Sequence, residues 1–225
     1  METKLLFIEI ETHRVKNWCE ISPELQHAFE KHLYDPNTYK NVEEHYNEKA
    51  ALHAEFSHII SISLGYEKDA EFKISTIYGT DETELLTKLA EMLNKFKEFE
   101  FNLAGHDING FDKPFLIKRY IINQLPVPKI LNSLNIKPWE AKDVDTKQLW
   151  KMGGWQNVSL DTICATLGIP GKTIDTLKYN IDINNLDFEE LKTSCENGVK
   201  ASFEIYKIVA KYLEANKIDV NKTAA

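Results

Sequence analysis

The sequence predicts an α/β fold, a five-stranded mixed sheet flanked by helices, and two patterns carry that prediction. Three strand-like segments come first, at Leu5 to Ile10, Ser57 to Tyr66 and Glu71 to Tyr78; two more, at Glu100 to Gly105 and Lys142 to Thr146, alternate with helical segments. Strands that follow one another directly pair as hairpins, whereas strands separated by helices need crossovers, so the combination gives mixed strand direction with helices on the faces. The 225 residues, 43% hydrophobic, fit one domain spanning residues 1–225, with a helical excursion at about 13–55.

Leu5 to Ile10 is a continuous apolar run that turns acidic at its end, the pattern of a buried strand. The polar stretch from His13 to Glu55 contains a helix start at Ser22-Pro23-Glu24, with Ser as cap and Pro at the first helical position. Ser57 to Tyr66 and Glu71 to Tyr78 are rich in Ile, Ser and Thr around a Glu67-Lys68-Asp69 turn, which predicts an antiparallel hairpin. Leu85, Leu86, Leu89, Met92, Leu93 and Phe96 have helical spacing within Asp81 to Phe96. A helix over Lys113 to Ile122 follows the fourth strand. Ser159 caps a helix to Leu167 that Gly168 and Pro170 end, and Asp187 with Glu190 starts a long helix running to about Leu213.

The longest apolar runs, such as Ile59 to Leu64, fall far short of the ~18 residues a membrane helix needs. The apolar start at Leu5 meets Glu9 and Glu11 too soon for a signal peptide, and Cys19, Cys164 and Cys195 show no disulfide or zinc spacing. The expected setting is therefore cytoplasmic, away from membranes. A net charge of −8 argues against a broadly basic nucleic-acid coat. The charge is uneven, however: Lys113 to Lys151 holds eight basic and three acidic residues.

Two segments could carry chemistry. Glu9 and Glu11 share one face of a strand, because side chains alternate, and paired carboxylates suit a hard divalent cation. Two acids at a solvated strand end would read the same way. The second segment, Gly105-His106-Asp107-Ile108-Asn109-Gly110-Phe111-Asp112-Lys113-Pro114-Phe115, leads from a strand into a helix with Asp112 at the entrance, where an acid also serves as a cap. Asp145 and Asp161 read as structural acids, His106 as a satisfied turn histidine, and Trp155, after Gly153-Gly154, as the best candidate for an exposed tryptophan.

Taken together, Phe7-Ile8-Glu9-Ile10-Glu11-Thr12 and the Gly105 to Pro114 segment resemble the two leading motifs of the DEDD 3'–5' exonucleases. The closest resemblance is to the predicted 3'–5' exonucleases related to the proofreading domain of B-family DNA polymerases. Ala54 to Ser63, Lys137-Pro138-Trp139-Glu140, Asp145 to Trp150, Ser159-Leu160-Asp161, Leu167 to Pro170 and Ser194 to Ser202 are similar to further landmarks in the same order. The resemblance implies ribonuclease-H-like topology and metal-dependent hydrolysis of single-stranded DNA (or RNA) from 3' ends, with replication or repair proteins as possible partners. In that family four carboxylates hold two ions ~3.5–4 Å apart.

Carried over by position, the catalytic metal ligands are Glu9 (Asp in the family), Glu11 and Asp112. Gly198 stands where the family has its last Asp, Ser194 where it has a water-orienting tyrosine, and Asp107 where it commonly has Asn. This implies weakly bound Mg²⁺ or Mn²⁺ and weakened activity. The alternative is a catalytically inactive relative that binds nucleic acid or a replication or repair partner; a third reading is a purely structural interaction domain. Lys113, Lys118 and Arg119 are expected to contact phosphates beside the cleft. Gly198→Asp is expected to restore more activity than Glu9→Asp and to strengthen its helix.

Overall fold

The computed structural model describes residues 4–96, 101–132, 142–172 and 185–216. The strands β1 (Lys4–Arg14), β2 (Ser57–Lys68), β3 (Glu71–Tyr78), β4 (Phe101–Gly105) and β5 (Val144–Asp145) form one five-stranded sheet in the order β3-β2-β1-β4-β5. β1–β2 and β2–β3 pair antiparallel, and β1–β4 and β4–β5 pair parallel. The mixed sheet follows from the connections, since only strands joined by helical crossovers run parallel.

Helices cover both faces. α3 (Glu82–Leu93) and α4 (Asp112–Ile122) lie on one; α5 (Thr146–Lys151), α6 (Leu160–Leu167) and α7 (Phe188–Ala215) lie on the other. Strand alternation sorts β1 between two cores: Leu6, Ile8 and Ile10 pack with α3 and α4, while Leu5 and Phe7 pack with α7. Glu9 and Glu11 continue the second series, so two carboxylates enter the sheet face that α7 covers.

The sequence set β1 too short and its turn one residue early. β1 continues through His13 and Arg14, which are buried and pair with His58 and Ser57. Polarity there reflects a buried polar seam rather than the start of the excursion. At the hairpin, Glu67 and Lys68 still pair with Phe72 and Glu71, and Asp69 and Ala70 make the reversal with φ of 55° and 62°. The excursion itself contains α1 (Pro23–His32) and α2 (Val42–Lys49), around a small core of Ile21, Phe29, Tyr46, Ala50 and Phe56.

Caps read from the sequence hold. Ser22, Ser159 and Asp187 accept from Leu25, Thr162 and Glu189 and Glu190 amides. Tight packing of α7 on the sheet rests on Gly65, where a Cβ would meet Phe72 and Val199 at 2.5 Å. Lys137 to Glu140, including Trp139, lie outside the described residues. Among the described residues no helix is long and apolar enough to cross a membrane.

Candidate active site

Glu9 and Glu11 leave β1 on the α7 side, 6% and 3% exposed. Asp112 opens α4, 2% exposed, and its Oδ1 accepts the Ile10 amide at 3.1 Å, between the two glutamates. The three acids are thus brought together from two segments a hundred residues apart in sequence. Asp112 ties the start of α4 to the end of the strand.

A cation already sits among them. The Lys172 ammonium pairs with Glu9 Oε1 and lies 3.0 Å from Glu11 Oε1. Its delivery is local. Gly168 turns left-handed at the end of α6 with φ 66°, Ile169 donates back to the Cys164 carbonyl, and Gly171 folds against Asp161 and Cys164. Lys172 therefore points at β1 from a chain that has reversed on itself.

Gly198 forms the opposite wall. A Cβ there would lie 2.9 Å from Glu9 Cγ, 2.9 Å from Lys172 Cε and 3.0 Å from Glu9 Cδ. The longer Glu9 side chain and the lysine stem fill what a side chain at 198 would need. Cys195, one turn earlier on α7, donates its thiol to the Glu9 carbonyl at 3.4 Å, and Ser194 and Ser202 are fully buried on the same helix.

Burial dominates the electrostatics. It raises the Asp112 carboxyl well above its ordinary value, and the Glu9 charge adds to this against the pull of Lys172. Glu9 is raised too, by burial first, with Lys172 opposing and Glu11 assisting. For Lys172, burial works against the charged form, but Glu11 and Glu9 outweigh it and hold the ammonium's pKa well up.

The other acids are engaged elsewhere. Asp107, at φ 65°, pairs with Lys147 at 2.6 Å. Glu196 accepts from Thr76 on β3. Asp145 is fully buried and accepts the amides of Asp107 and Asn109 as well as those of Lys147 and Gln148, pinning the 105–110 loop to the start of α5. His106 lies within hydrogen-bonding reach of Thr146, and burial pushes its pKa down to about 4. From its ordinary 6.5, the depressed value means that stability is full near neutrality and is lost as pH falls from 6.5 through 4. Acidifying from pH 7 to 5 should therefore cost the wild type about 2 kcal/mol more than His106→Gln, as read from thermal melts of the two.

The expected phosphate-contacting row needs correction. Lys113 is buried in an ion pair with Asp143 at 2.5 Å. Arg119 is buried against Glu82, with Nε at 2.9 Å and 3.1 Å from its oxygens, and also donates to the Ala54 carbonyl. Only Lys118 is exposed, and it pairs with Glu55 at 3.1 Å. Lys172 was missed because nothing local marks it. The available signal was an uncompensated pair of acids on a buried strand.

The metal that the motifs imply does not fit these residues. Gly198 offers no side-chain ligand beside Glu9, and the Lys172 ammonium lies between Glu9 and Glu11. Among the described residues, no group of three acidic, histidine or cysteine side chains is arranged to hold a metal ion.

The five-stranded mixed sheet flanked by helices defines an α/β domain of ribonuclease-H-like fold. Residues 49–213 match the model of a family described as a predicted 3'-5' exonuclease related to the exonuclease domain of PolB, and the chain belongs to that family. β1 precedes the matched span, so Glu9 and Glu11 join the site through geometry. A solved structure, the family B DNA polymerase from the hyperthermophilic archaeon Pyrobaculum calidifontis, is similar over 100% of this chain with a TM-score of 0.64 and 13% identity. This chain spans 27% of that polymerase chain, and the likeness is one of fold. Comparison with curated proteins finds no match.

Proposed function

We propose that this protein is a degenerate 3'–5' exonuclease domain that engages the 3' ends of single-stranded nucleic acid, DNA foremost, and hydrolyses them slowly or not at all. The observation that supports this reading is the altered constellation on an otherwise intact scaffold: Glu9, Glu11 and Asp112 grouped around Lys172, with Gly198 in the fourth place. Two-metal hydrolysis needs ligands that hold both ions in register around the scissile phosphodiester. Three buried acids sharing one ammonium do not supply them.

The test uses a 3'-labelled single-stranded oligonucleotide. Retention in a gel shift in EDTA, with release of 3' nucleotides at background rate in Mg²⁺ and slow at best in Mn²⁺, is the expected result. Robust cleavage in Mg²⁺ would sink the degenerate reading. Loss of all nucleic-acid binding would favour a protein-interaction role, with replication or repair proteins as the partners to seek.

Binding without metal needs other contacts. Trp155 is 97% exposed beside the left-handed Met152 and Gly153. A solvated tryptophan offers a stacking surface for a base, worth about 1–3 kcal/mol. Trp155→Ala should therefore weaken oligonucleotide binding by roughly fivefold or more, measured by fluorescence anisotropy. It should leave thermal stability unchanged.

A further inference from the structure

We propose that Lys172 is the resident cation of this site: its ammonium, bridging Glu9 and Glu11, takes the place of a divalent metal and offsets part of the buried negative charge of the cleft. This rests on the degenerate-exonuclease reading and explains how the scaffold tolerates it. Buried carboxylates need a compensating charge, and here Glu9 and Glu11 are 6% and 3% exposed. Lys172 supplies it from a chain reversal, with its own side chain only 22% exposed.

Three features fit together sterically. The Lys172 stem passes where a side chain at 198 would stand, with Cε 2.9 Å from that Cβ position. Glu9 reaches into the same space with Cγ at 2.9 Å and, one carbon beyond what an aspartate has, Cδ at 3.0 Å. Glycine at 198 is therefore the residue that admits both the longer acid and the lysine. An ordinary surface ion pair places no such demand on its neighbours. Glu9 Oε2 is buried and has no hydrogen-bond partner among the described residues, so removal of the ammonium leaves unspent acceptor capacity. Glu9, Glu11 and Asp112 are hard oxygen donors, and the ligand class such a vacated site would take is a divalent cation such as Mn²⁺.

The experiment follows the full chain by thermal melting and Mn²⁺ titration, for wild type, Lys172→Ala and Lys172→Arg. Wild type and Lys172→Arg should melt at the same temperature in EDTA and in Mn²⁺. Lys172→Ala should melt roughly 10 °C lower in EDTA and recover most of that loss in Mn²⁺. Its Mn²⁺ affinity, read by electron paramagnetic resonance, should exceed the wild type's by roughly a hundredfold, because an ammonium strongly repels a dication placed a few ångströms away. If Lys172→Ala folds only when Mn²⁺ is present, that equally supports the proposal.

Wild-type Mn²⁺ binding as tight as that of Lys172→Ala overturns it. So does a Lys172→Ala protein that is as stable as wild type and blind to Mn²⁺, or one that fails to fold with and without the ion while Lys172→Met folds and ignores it. Tight metal binding by a wild type that still does not cleave would overturn the lysine's role alone. Mg²⁺-dependent cleavage by the wild type would overturn the degenerate reading beneath it.

Discussion

Arg119→Ala is expected to lower stability by roughly 3–5 kcal/mol, because it leaves a buried carboxylate without its charge partner. Glu82 Oε2 lies 2.5 Å from Arg119 Nη2, and Glu82 also accepts the Ile59 amide and the Asn123 side chain. The alanine keeps those two weaker partners and removes the positive charge from an enclosed site joining α3, α4 and the start of β2. For a chain of this length the melting temperature should fall by roughly 10 °C, followed by circular dichroism. Replacing both partners, as Arg119→Met with Glu82→Met, should cost less than the single change. At temperatures where Arg119→Ala remains folded, the salt dependence of oligonucleotide binding should match the wild type. A variant as stable as wild type whose salt slope flattens would mean that the guanidinium reaches phosphate after all.

The same residue illustrates where sequence reading stops. Lys113 to Lys151 counts as a basic stretch, but counting does not tell a cation that faces solvent from one enclosed with an acid. Lys113 finds Asp143, thirty positions on, and Arg119 finds Glu82 on the preceding helix. Those partners are set by how α4 packs, and packing is not a local property. What was legible is local or periodic. Alternation along β1 placed Glu9 and Glu11 on one face. Ser22, Ser159 and Asp187 announced helix starts by their chemistry, and the Ile- and Thr-rich pair of segments announced the hairpin. β1 was cut short because His13 and Arg14 look solvated but are buried beside β2.

For the candidate site, the sequence could say which acids would be gathered but not what would stand among them. Asp112 could equally have been a helix cap. Its acceptance of the Ile10 amide, across 102 positions, makes it a link between α4 and β1. Lys172 lies in no periodic pattern, and its position depends on the reversal after α6. It could be anticipated only by electrostatic accounting: two buried acids on a strand require a cation, and with glycine at 198 a metal was poorly provided for.

That accounting changes what a repair of the site should do. Gly198→Asp alone is expected to destabilise the protein, reversing the expectation drawn from helix propensity. Aspartate in place of glycine gains a few tenths of a kcal/mol in a helix interior. Its Cβ would, however, sit 2.9 Å from both Glu9 Cγ and Lys172 Cε, and overpacking of this kind costs about 1–3 kcal/mol. Lys172 can shift its Cε while its ammonium stays between the two glutamates, but Glu9 is held by burial and by α7, so the strain falls on the strand–helix contact. Hydrolysis should stay at background, because the ammonium still bridges Glu9 and Glu11. Glu9→Asp removes the Cδ that the new Cβ meets at 3.0 Å and shortens the acid, although its Cγ stays, and Lys172→Ala clears the opposite wall and the competing charge. The triple variant should therefore be more stable in Mn²⁺ than Gly198→Asp alone, and should release 3' nucleotides roughly a hundredfold faster than wild type, since metal-ion catalysis is worth several kcal/mol. Ser194→Tyr should be added last, because Ser194 is fully buried and a ring there must displace its neighbours. The measurements are melting temperature and 3'-end release for the wild type, Gly198→Asp and the triple variant. A Gly198→Asp protein that is both stabilised and active would show that Glu9 and Lys172 do not obstruct the site. A triple variant that binds Mn²⁺ yet stays inert would place the loss of chemistry outside these three positions.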